Sequence, residues 1–168
     1  MDKNISGLIL DLRNNPGGLL DICVDIADEF LGKAVVVYTQ TKDGKKQYEY
    51  SDRKAINLPL IVLVNEGSAS ASEILAGAIK DHGRGLLIGN KTFGKGIVQR
   101  IRSLTDGSGF KLTVSEYFTP KGTSIHGIGI EPDITVDLPE DIMEIGPENL
   151  QEDTQLQRAI EEMKEMTR

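Results

Sequence analysis

The sequence is poor in the residues that carry disulfide, metal and imidazole chemistry. Among 168 residues there is one cysteine, Cys23, and there are two histidines, His82 and His126. A single cysteine excludes an internal disulfide framework, and its place in an apolar helical stripe favours a buried core position. Neither histidine lies in a motif typical of a Ser-His-Asp triad. The sequence contains no H-E-x-x-H motif and no Cys/His pair at ligand spacing, so we expect no metal and no cofactor.

Basic residues and long apolar runs are also scarce. The chain has 19 Lys and Arg against 26 Asp and Glu, a formal net charge of −7. Phosphate binding requires a basic surface, so this balance argues against nucleic acid as the main partner. No apolar run approaches the length of a membrane span, and we expect no membrane contact from this segment. With 39% hydrophobic and 27% charged residues, the composition is typical of a soluble globular domain.

The apolar segments that are present predict an α/β fold. Segments at 7–12, 58–64 and 86–88 lack strict alternation, which favours strands covered on both faces of a parallel sheet. Helical spacing after the second of these segments predicts a helix. Strand, helix and strand in this order are typical of a right-handed β-α-β unit.

The other predicted elements follow local signals. Helical spacing from 19 to 31 predicts an amphipathic helix that ends with Gly32 as its C-cap. Turn residues predict two hairpins. These turns lie at 42–45 and 105–109, and the last predicted elements are a strand at 134–138 and a helix at 154–166.

We expect residues 1–138 to form the core and residues 139–168 to add an acidic linker and a C-terminal helix. The apolar face of that helix could form a homodimer, or it could dock on the core of its own chain, and both alternatives stay open. The chain enters a buried-type strand within a few residues of Met1, as expected of an excised domain.

Three serines stand where the second buried strand turns into a helix: Ser68, Ser70 and Ser72. A serine hydroxyl is a weak nucleophile unless a base lies beside it. Ser70 and Glu73 also have the spacing of a capping box, which needs no catalysis. The first turn of a helix presents free N–H groups to a developing oxyanion. Spacing therefore leaves the cap and the nucleophile open for Ser70.

Lys95, which stands between two glycines, is the candidate base. A lysine can replace histidine when burial lowers its pKa from about 10.4 toward neutrality. We expect Phe93, Ile97 and Val98 to exclude water around this amine. The alternative is an ordinary solvated lysine in a loop.

A Gly-Gly turn at Gly17 and Gly18 follows the first buried strand. Such a turn can direct backbone N–H groups into a cleft, and with the amide of Ala71 it could complete an oxyanion hole. The alternative is a tight turn before a helix.

The segment from Gly89 to Gly96 nearly matches the phosphate-binding loop G-x-x-x-x-G-K-[ST]. Glycine occupies the position of the hydroxyl residue that would hold magnesium. The following residues favour a strand rather than the helix that such a loop should begin. Nucleotide binding is therefore the weaker alternative.

Several ordered blocks in residues 5–138 resemble the C-terminal processing proteases, also called tail-specific proteases. The blocks are D-L-R-N-N-P-G-G (11–18), V-N-E-G-S-A-S-A-S-E-I (64–74), G-A-I-K-D (77–81), G-N-K-T-F-G-K-G-I-V-Q (89–99), Y-F-T-P-K-G (117–122) and G-I-G-I-E-P-D (127–133).

The resemblance implies a serine endopeptidase with a Ser/Lys dyad that cleaves protein or peptide substrates at or near their C-termini through an acyl-enzyme. The family nucleophile falls on Ser70, the base on Lys95, and a glutamine that orients the base on Gln99. Residues an even number apart on a strand face the same side, which agrees with the pairing of Lys95 and Gln99. The acidic position at Asp81 is expected to be structural.

The resemblance also implies that Gly17, Gly18 and Ala71 supply the oxyanion hole. The implied fold is a Clp-protease/crotonase-like β/α superhelical core, here a single truncated catalytic domain, and the implied location is bacterial and extracytoplasmic. Family members carry N-terminal helices and a PDZ domain before this segment. The rival hypothesis is therefore a substrate-binding or assembly module that does not cleave, because its dyad is incomplete without those parts.

Overall fold

The computed structural model describes residues 5–52, 54–142 and 144–168. It consists of two four-stranded sheets and three α-helices. In chain order the elements are β1 (Leu8–Asp11), α1 (Leu20–Phe30), β2 (Ala34–Thr41), β3 (Lys46–Ser51), β4 (Leu60–Val64), α2 (Ala71–Asp81), β5 (Leu86–Gly89), β6 (Ile97–Ser103), β7 (Gly109–Phe118), β8 (Ile134–Thr135) and α3 (Thr154–Met166), with a short 3-10 helix (Pro147–Asn149) before α3.

The first sheet is parallel, with the strand order β1-β4-β5-β8. The register pairs Leu10 with Val62 and Leu63 with Ile88. All five residues of β4 are buried, as the apolar run predicts. The edge strand β1 is only partly buried, but its side chains contact the apolar clusters on both faces, with Leu8 and Leu10 on one and Ile9 on the other. The predicted unit of strand, helix and parallel strand is confirmed in β4, α2 and β5.

The second sheet is antiparallel, with the order β3-β2-β7-β6. Both predicted hairpins are confirmed, because β2 pairs with β3 and β6 pairs with β7. The strand predicted at 134–138 is shorter, since β8 covers two residues. Two residues after its end, the side chain of Asp137 accepts a hydrogen bond from Asn90 and the carbonyl oxygen of Asp137 accepts one from Thr154.

The prediction that Gly32 caps α1 is wrong. The C-cap is Leu31, in an extended conformation (φ −102°, ψ 131°), and Gly32 does not have a positive φ. Leu31 is 3% exposed and belongs to the core. Since its burial turns the chain directly into an extended path, no left-handed residue is needed at this helix end.

Apolar clusters lie on both faces of the parallel sheet. On one face, α1 and α2 pack against side chains such as Leu60 and Val62. On the other, Leu156 and Ala159 of α3 pack against Ile61, which confirms the second of the two alternatives for the apolar face of this helix. Within the described residues, no helix is long and apolar enough to cross a membrane.

Candidate active site

The three loops that carry the predicted site residues leave the same edge of the parallel sheet. They follow β1, β4 and β5, whose carboxyl ends point the same way. The loops are also bonded to one another: Ala69 donates its N–H to the carbonyl oxygen of Asn15 at 3.0 Å, and Phe93 donates to that of Ser68 at 3.0 Å. Side chains that are far apart in sequence are therefore gathered in one place.

Ser70 stands at the sharp turn between β4 and α2. Its backbone has φ 57° and ψ −117°, a region that residues with a Cβ rarely adopt. Such strain persists only where the surroundings enforce it, and it occurs most often at functional sites. Ser70 is partly exposed at the N-cap of α2.

The structure separates the three serines. The hydroxyl of Ser68 is buried, donating to the carbonyl oxygen of Leu12 at 2.8 Å and accepting the N–H of Asn65 at 3.0 Å. Ser72 is 4% exposed within the first turn of α2. Only Ser70 of the three is more than slightly exposed to solvent.

The capping box expected from Ser70 and Glu73 is present. Its glutamate half is a bond from the N–H of Ser70 to Oε2 of Glu73 at 2.9 Å. In its serine half, the hydroxyl lies beside the N–H of Glu73, and that N–H also donates to the carbonyl oxygen of Ser70 at 2.9 Å. Because the N–H has a backbone partner, the hydroxyl can turn toward a substrate without leaving it unpaired.

The carboxylate of Glu73 joins the serine turn to the lysine loop. Glu73 is completely buried. Its Oε2 accepts the N–H of Ser70 at 2.9 Å and that of Lys95 at 2.8 Å, while Oε1 accepts the N–H of Gly94 and the hydroxyl of Thr92, both at 2.6 Å. The backbone nitrogens of the two proposed dyad residues therefore share one acceptor atom.

A second loop supports the lysine loop from behind. The N–H of Gly127 donates to the carbonyl oxygen of Gly94 at 2.9 Å, and the N–H of Thr92 donates to that of Ile130 at 3.1 Å. Gly129 has φ +75°, and a Cβ there would lie 2.4 Å from the carbonyl oxygen of Thr92. The G-I-G-I block thus needs glycine for close backbone approach.

Lys95 does not have the dry surroundings predicted from its neighbours. Its side chain is exposed, and Phe93 is 67% exposed. The reason is that the loop is held through its backbone N–H groups on Glu73, and this directs the flanking side chains outward. The expectation that Phe93, Ile97 and Val98 exclude water around this amine is therefore wrong.

Strand alternation does not place Lys95 and Gln99 on the same side of a strand. Lys95 precedes β6, and the register shifts between Val98 and Gln99. Gln99 is exposed, and its Nε2 donates to Oγ1 of Thr113 at a long 3.5 Å.

The Gly-Gly turn lies against the serine turn. A Cβ on Gly17, which has φ +95°, would lie 2.7 Å from the nitrogen of Ala71 and 2.9 Å from the Cβ of Ser70. The N–H of Ala71 belongs to the first turn of α2, where helical N–H groups have no intrahelical partner. The N–H of Gly17 donates to Oδ1 of Asn15 at 2.9 Å, so Gly18 and Ala71 are the remaining candidate oxyanion donors.

An apolar cavity of about 210 Å³ opens beside these groups. Gly17, Gly18 and Ala71 form one side of it, next to Ser70 in the chain. The rest of the wall is mostly apolar and includes Leu19, Ile22, Cys23, Ile26 and Leu75. As predicted, Cys23 is a buried free thiol, and desolvation raises its pKa to about 12.

The structure also bears on the phosphate-binding loop and on Asp81. Residues after Gly96 form β6 rather than a helix, and the N–H groups of Gly94 and Lys95, which a phosphate would need, are donated to a carboxylate. Asp81 accepts the N–H of Lys121 at 2.8 Å, a structural contact. In the described part of the chain, no group of three or more His, Cys, Asp or Glu residues could hold a metal ion.

A sequence profile of peptidase family S41 matches residues 1–136. The chain belongs to peptidase family S41. It is 48% identical over 139 residues to a carboxyl-terminal-processing protease of Synechocystis sp. and 50% identical over 141 residues to a carboxy-terminal-processing protease of Bartonella bacilliformis.

These alignments cover 82% and 80% of this S41 chain, but 33% and 32% of the two relatives. The chain thus spans about a third of the length of the curated relatives it matches. The structure of a photosystem II D1 C-terminal processing protease superposes with a TM-score of 0.76 at 45% identity, covering 82% of this chain and 37% of that one.

A lipoprotein from Streptococcus agalactiae shares the fold, with a TM-score of 0.74 at 24% identity. The superposition covers 98% of this chain and 56% of the lipoprotein. The mixed parallel and antiparallel sheets are those of the Clp-protease-like α/β core of the S41 family, as the sequence predicts.

Proposed function

We propose that this chain is the catalytic core of a serine endopeptidase that cleaves proteins at or near their C-termini, with Ser70 as nucleophile and Lys95 as base. The observation that carries the proposal is the shared acceptor, Oε2 of Glu73, which fixes the backbone of both residues at once. The names of the two bacterial relatives, both C-terminal processing proteases, support the type of cleavage.

In the proposed reaction, the neutral amine of Lys95 accepts the proton of the Ser70 hydroxyl while Oγ attacks the scissile carbonyl carbon. The N–H groups of Ala71 and Gly18 stabilise the oxyanion. Lys95 then gives the proton to the leaving amine, and the acyl group stays on Oγ. Water, deprotonated by the same lysine, hydrolyses the ester and restores Ser70. Gln99 is proposed to orient the lysine.

The cavity beside Ala71 is proposed to bind an apolar side chain of the substrate, on the acyl side of the scissile bond. Its wall is mostly apolar and it opens next to the proposed oxyanion donors. Apolar surface buried there contributes about 25 cal/mol per Å². Substrates with an aliphatic residue at this position should therefore be cleaved faster than those with a charged one.

The second candidate is the binding module that does not cleave. It is compatible with the exposure of Lys95 and with the bond from the Gly17 N–H to Asn15, but the protease names of the relatives do not favour it. Both features are compatible with a core that reaches its reactive form only when another part of a longer protein, or a substrate, covers it. Protein substrates and an extracytoplasmic location are also proposed for this chain.

The test is cleavage of an unstructured protein, with fragments identified by mass spectrometry. Ser70→Ala should abolish cleavage, whereas Ser72→Ala, a serine in the same helical turn, should retain it. If Ser70 were only the cap of α2, the Ser70→Ala protein would lose about 1 kcal/mol of stability and would keep its activity. If folded Ser70→Ala still cleaves, the nucleophile is misassigned, and if the wild type cleaves neither alone nor joined to an N-terminal part of a relative, the binding module is favoured.

A further inference from the structure

A polar network links the C-terminal segment to the start of the Gly-Gly loop. The side chain of Arg13 is completely buried, and its two terminal nitrogens donate to the two carboxylate oxygens of Asp153, each at 2.8 Å. Arg13 also donates to Asp11 at 2.6 Å. Burial alone would lower the pKa of Arg13, but the bonds to both carboxylates raise it, so the guanidinium stays charged.

The carboxylate of Asp153 also accepts hydrogen bonds from two backbone N–H groups of the C-terminal segment. Oδ1 accepts the N–H of Leu156 at 2.9 Å, which caps α3, and Oδ2 accepts the N–H of Gly146 at 2.8 Å. The position of the helix end and the position of Arg13 are therefore set by one buried group.

Gln155 connects this network to the lysine loop. It is completely buried, and its Oε1 accepts a bond from Arg13 at 3.2 Å. Its Nε2 donates to Oδ1 of Asn90 at 2.6 Å and to the carbonyl oxygen of Val136 at 2.8 Å. Arg13 begins the loop that contains Gly17, and Asn90 begins the loop that contains Lys95, so one amide spans the two loop bases.

Helix docking does not require this network. Leu156 and Ala159 already pack on the sheet, and burying charged and amide groups costs free energy unless every one is paired. A satisfied buried network fixes one arrangement of the groups it joins. The groups joined here are the starts of the two loops.

We propose that Asp153 and Gln155 are positioning residues: the C-terminal segment sets the Gly-Gly loop and the lysine loop relative to each other through Arg13 and Asn90. The inference rests on the proposed function only for its effect on turnover. The placement of the loops is a separate, measurable property.

The test compares Gln155→Leu with Gln157→Leu in the full chain. Gln157 lies on the same helix, but its amide donates only to carbonyl oxygens of its own segment, those of Leu150 and Gln151. Hydrogen exchange followed by mass spectrometry should show amides at 13–18 and 90–96 of Gln155→Leu exchanging at least about tenfold faster, with β4 unchanged. Gln157→Leu should match the wild type. Asp153→Asn, which keeps a cap, should loosen residues 13–18.

Turnover of a short peptide by Gln155→Leu should fall about tenfold in kcat, with KM within about twofold, because misplacement affects the reacting groups rather than binding. Unchanged exchange in both loops, or a uniform rise that includes β4, overturns the proposal. If the wild type turns over the peptide neither alone nor joined to an N-terminal part of a relative, the proposed function fails, and the exchange measurement still decides whether the segment positions the loops.

Discussion

Replacing Glu73 by glutamine tests whether the buried carboxylate is what aligns the serine turn with the lysine loop. The four donors are divided evenly, with the Ser70 and Lys95 amides on Oε2 and the Gly94 amide and Thr92 hydroxyl on Oε1. Glutamine has one acceptor oxygen and one amino group. One pair of donors must therefore face another donor.

The amino group should turn toward the Oε1 side, because a hydroxyl can accept a hydrogen bond whereas a backbone N–H cannot. This orientation of the glutamine amide leaves the N–H of Gly94 without a partner. It also replaces a charged acceptor by a neutral one in the bonds from Ser70 and Lys95. Hydrogen bonds to charged groups contribute about 1.5–3 kcal/mol each, and an unsatisfied buried group costs about 1–3 kcal/mol. We expect Glu73→Gln to lose about 2–4 kcal/mol of unfolding free energy, within the 5–15 kcal/mol typical of a domain.

The assay is urea denaturation followed by peptide turnover at a temperature where the variant is folded. Because the Gly94–Lys95 backbone loosens, kcat should fall at least about tenfold. Glu66→Gln is the matched control, since Glu66 is exposed on the same turn, and it should change stability by less than about 0.5 kcal/mol. A folded Glu73→Gln protein with the wild-type midpoint and wild-type kcat would refute the reasoning.

Three further outcomes are expected. Ser70→Gly should be more stable than Ser70→Ala by about 1–3 kcal/mol in urea denaturation, because glycine relieves the positive φ, while both are inactive. Gly17→Ala should lose activity in the peptide assay, since its Cβ would lie 2.7 Å from the nitrogen of Ala71. Bonds from Arg13 outweigh desolvation and lower the pKa of Asp153, so its stabilisation is complete above the unfolded value of about 3.9 and is lost as pH falls through the folded pKa. Asp153→Asn should therefore weaken the fall in stability between neutral pH and acid, measured by urea denaturation.

Elements set by local periodicity are predictable from the sequence. The C-terminal helix has the predicted bounds of 154 and 166 because its apolar spacing and the acidic cap before it are local signals. The prediction of a C-cap at Gly32 is wrong because the burial of Leu31, a tertiary effect, decides how α1 ends.

The site is only partly predictable, for the same reason. The capping-box spacing finds Glu73, but its bonds to Gly94 and Lys95 cross about 20 residues, and no local pattern encodes them. One usable signal is that Glu73 is the only charged residue of α2 before Lys80, among residues that are small or apolar, since a buried carboxylate must have partners. The link from Arg13 to Asp153 spans 140 residues and has no comparable signal.

The two residues of the proposed dyad differ in how firmly they are held, and under the proposed function this difference places the control of turnover at Lys95. Ser70 is fixed by a strained backbone, by Glu73 and by the close approach of Gly17. Lys95 is fixed at its backbone only, and its side chain is exposed. Ordering a free lysine side chain costs up to about 2 kcal/mol, which corresponds to about 30-fold in rate. Whatever covers Lys95, a substrate or another part of a longer chain, can therefore change turnover by that factor without moving the serine, and exclusion of water would add to it by favouring the neutral amine.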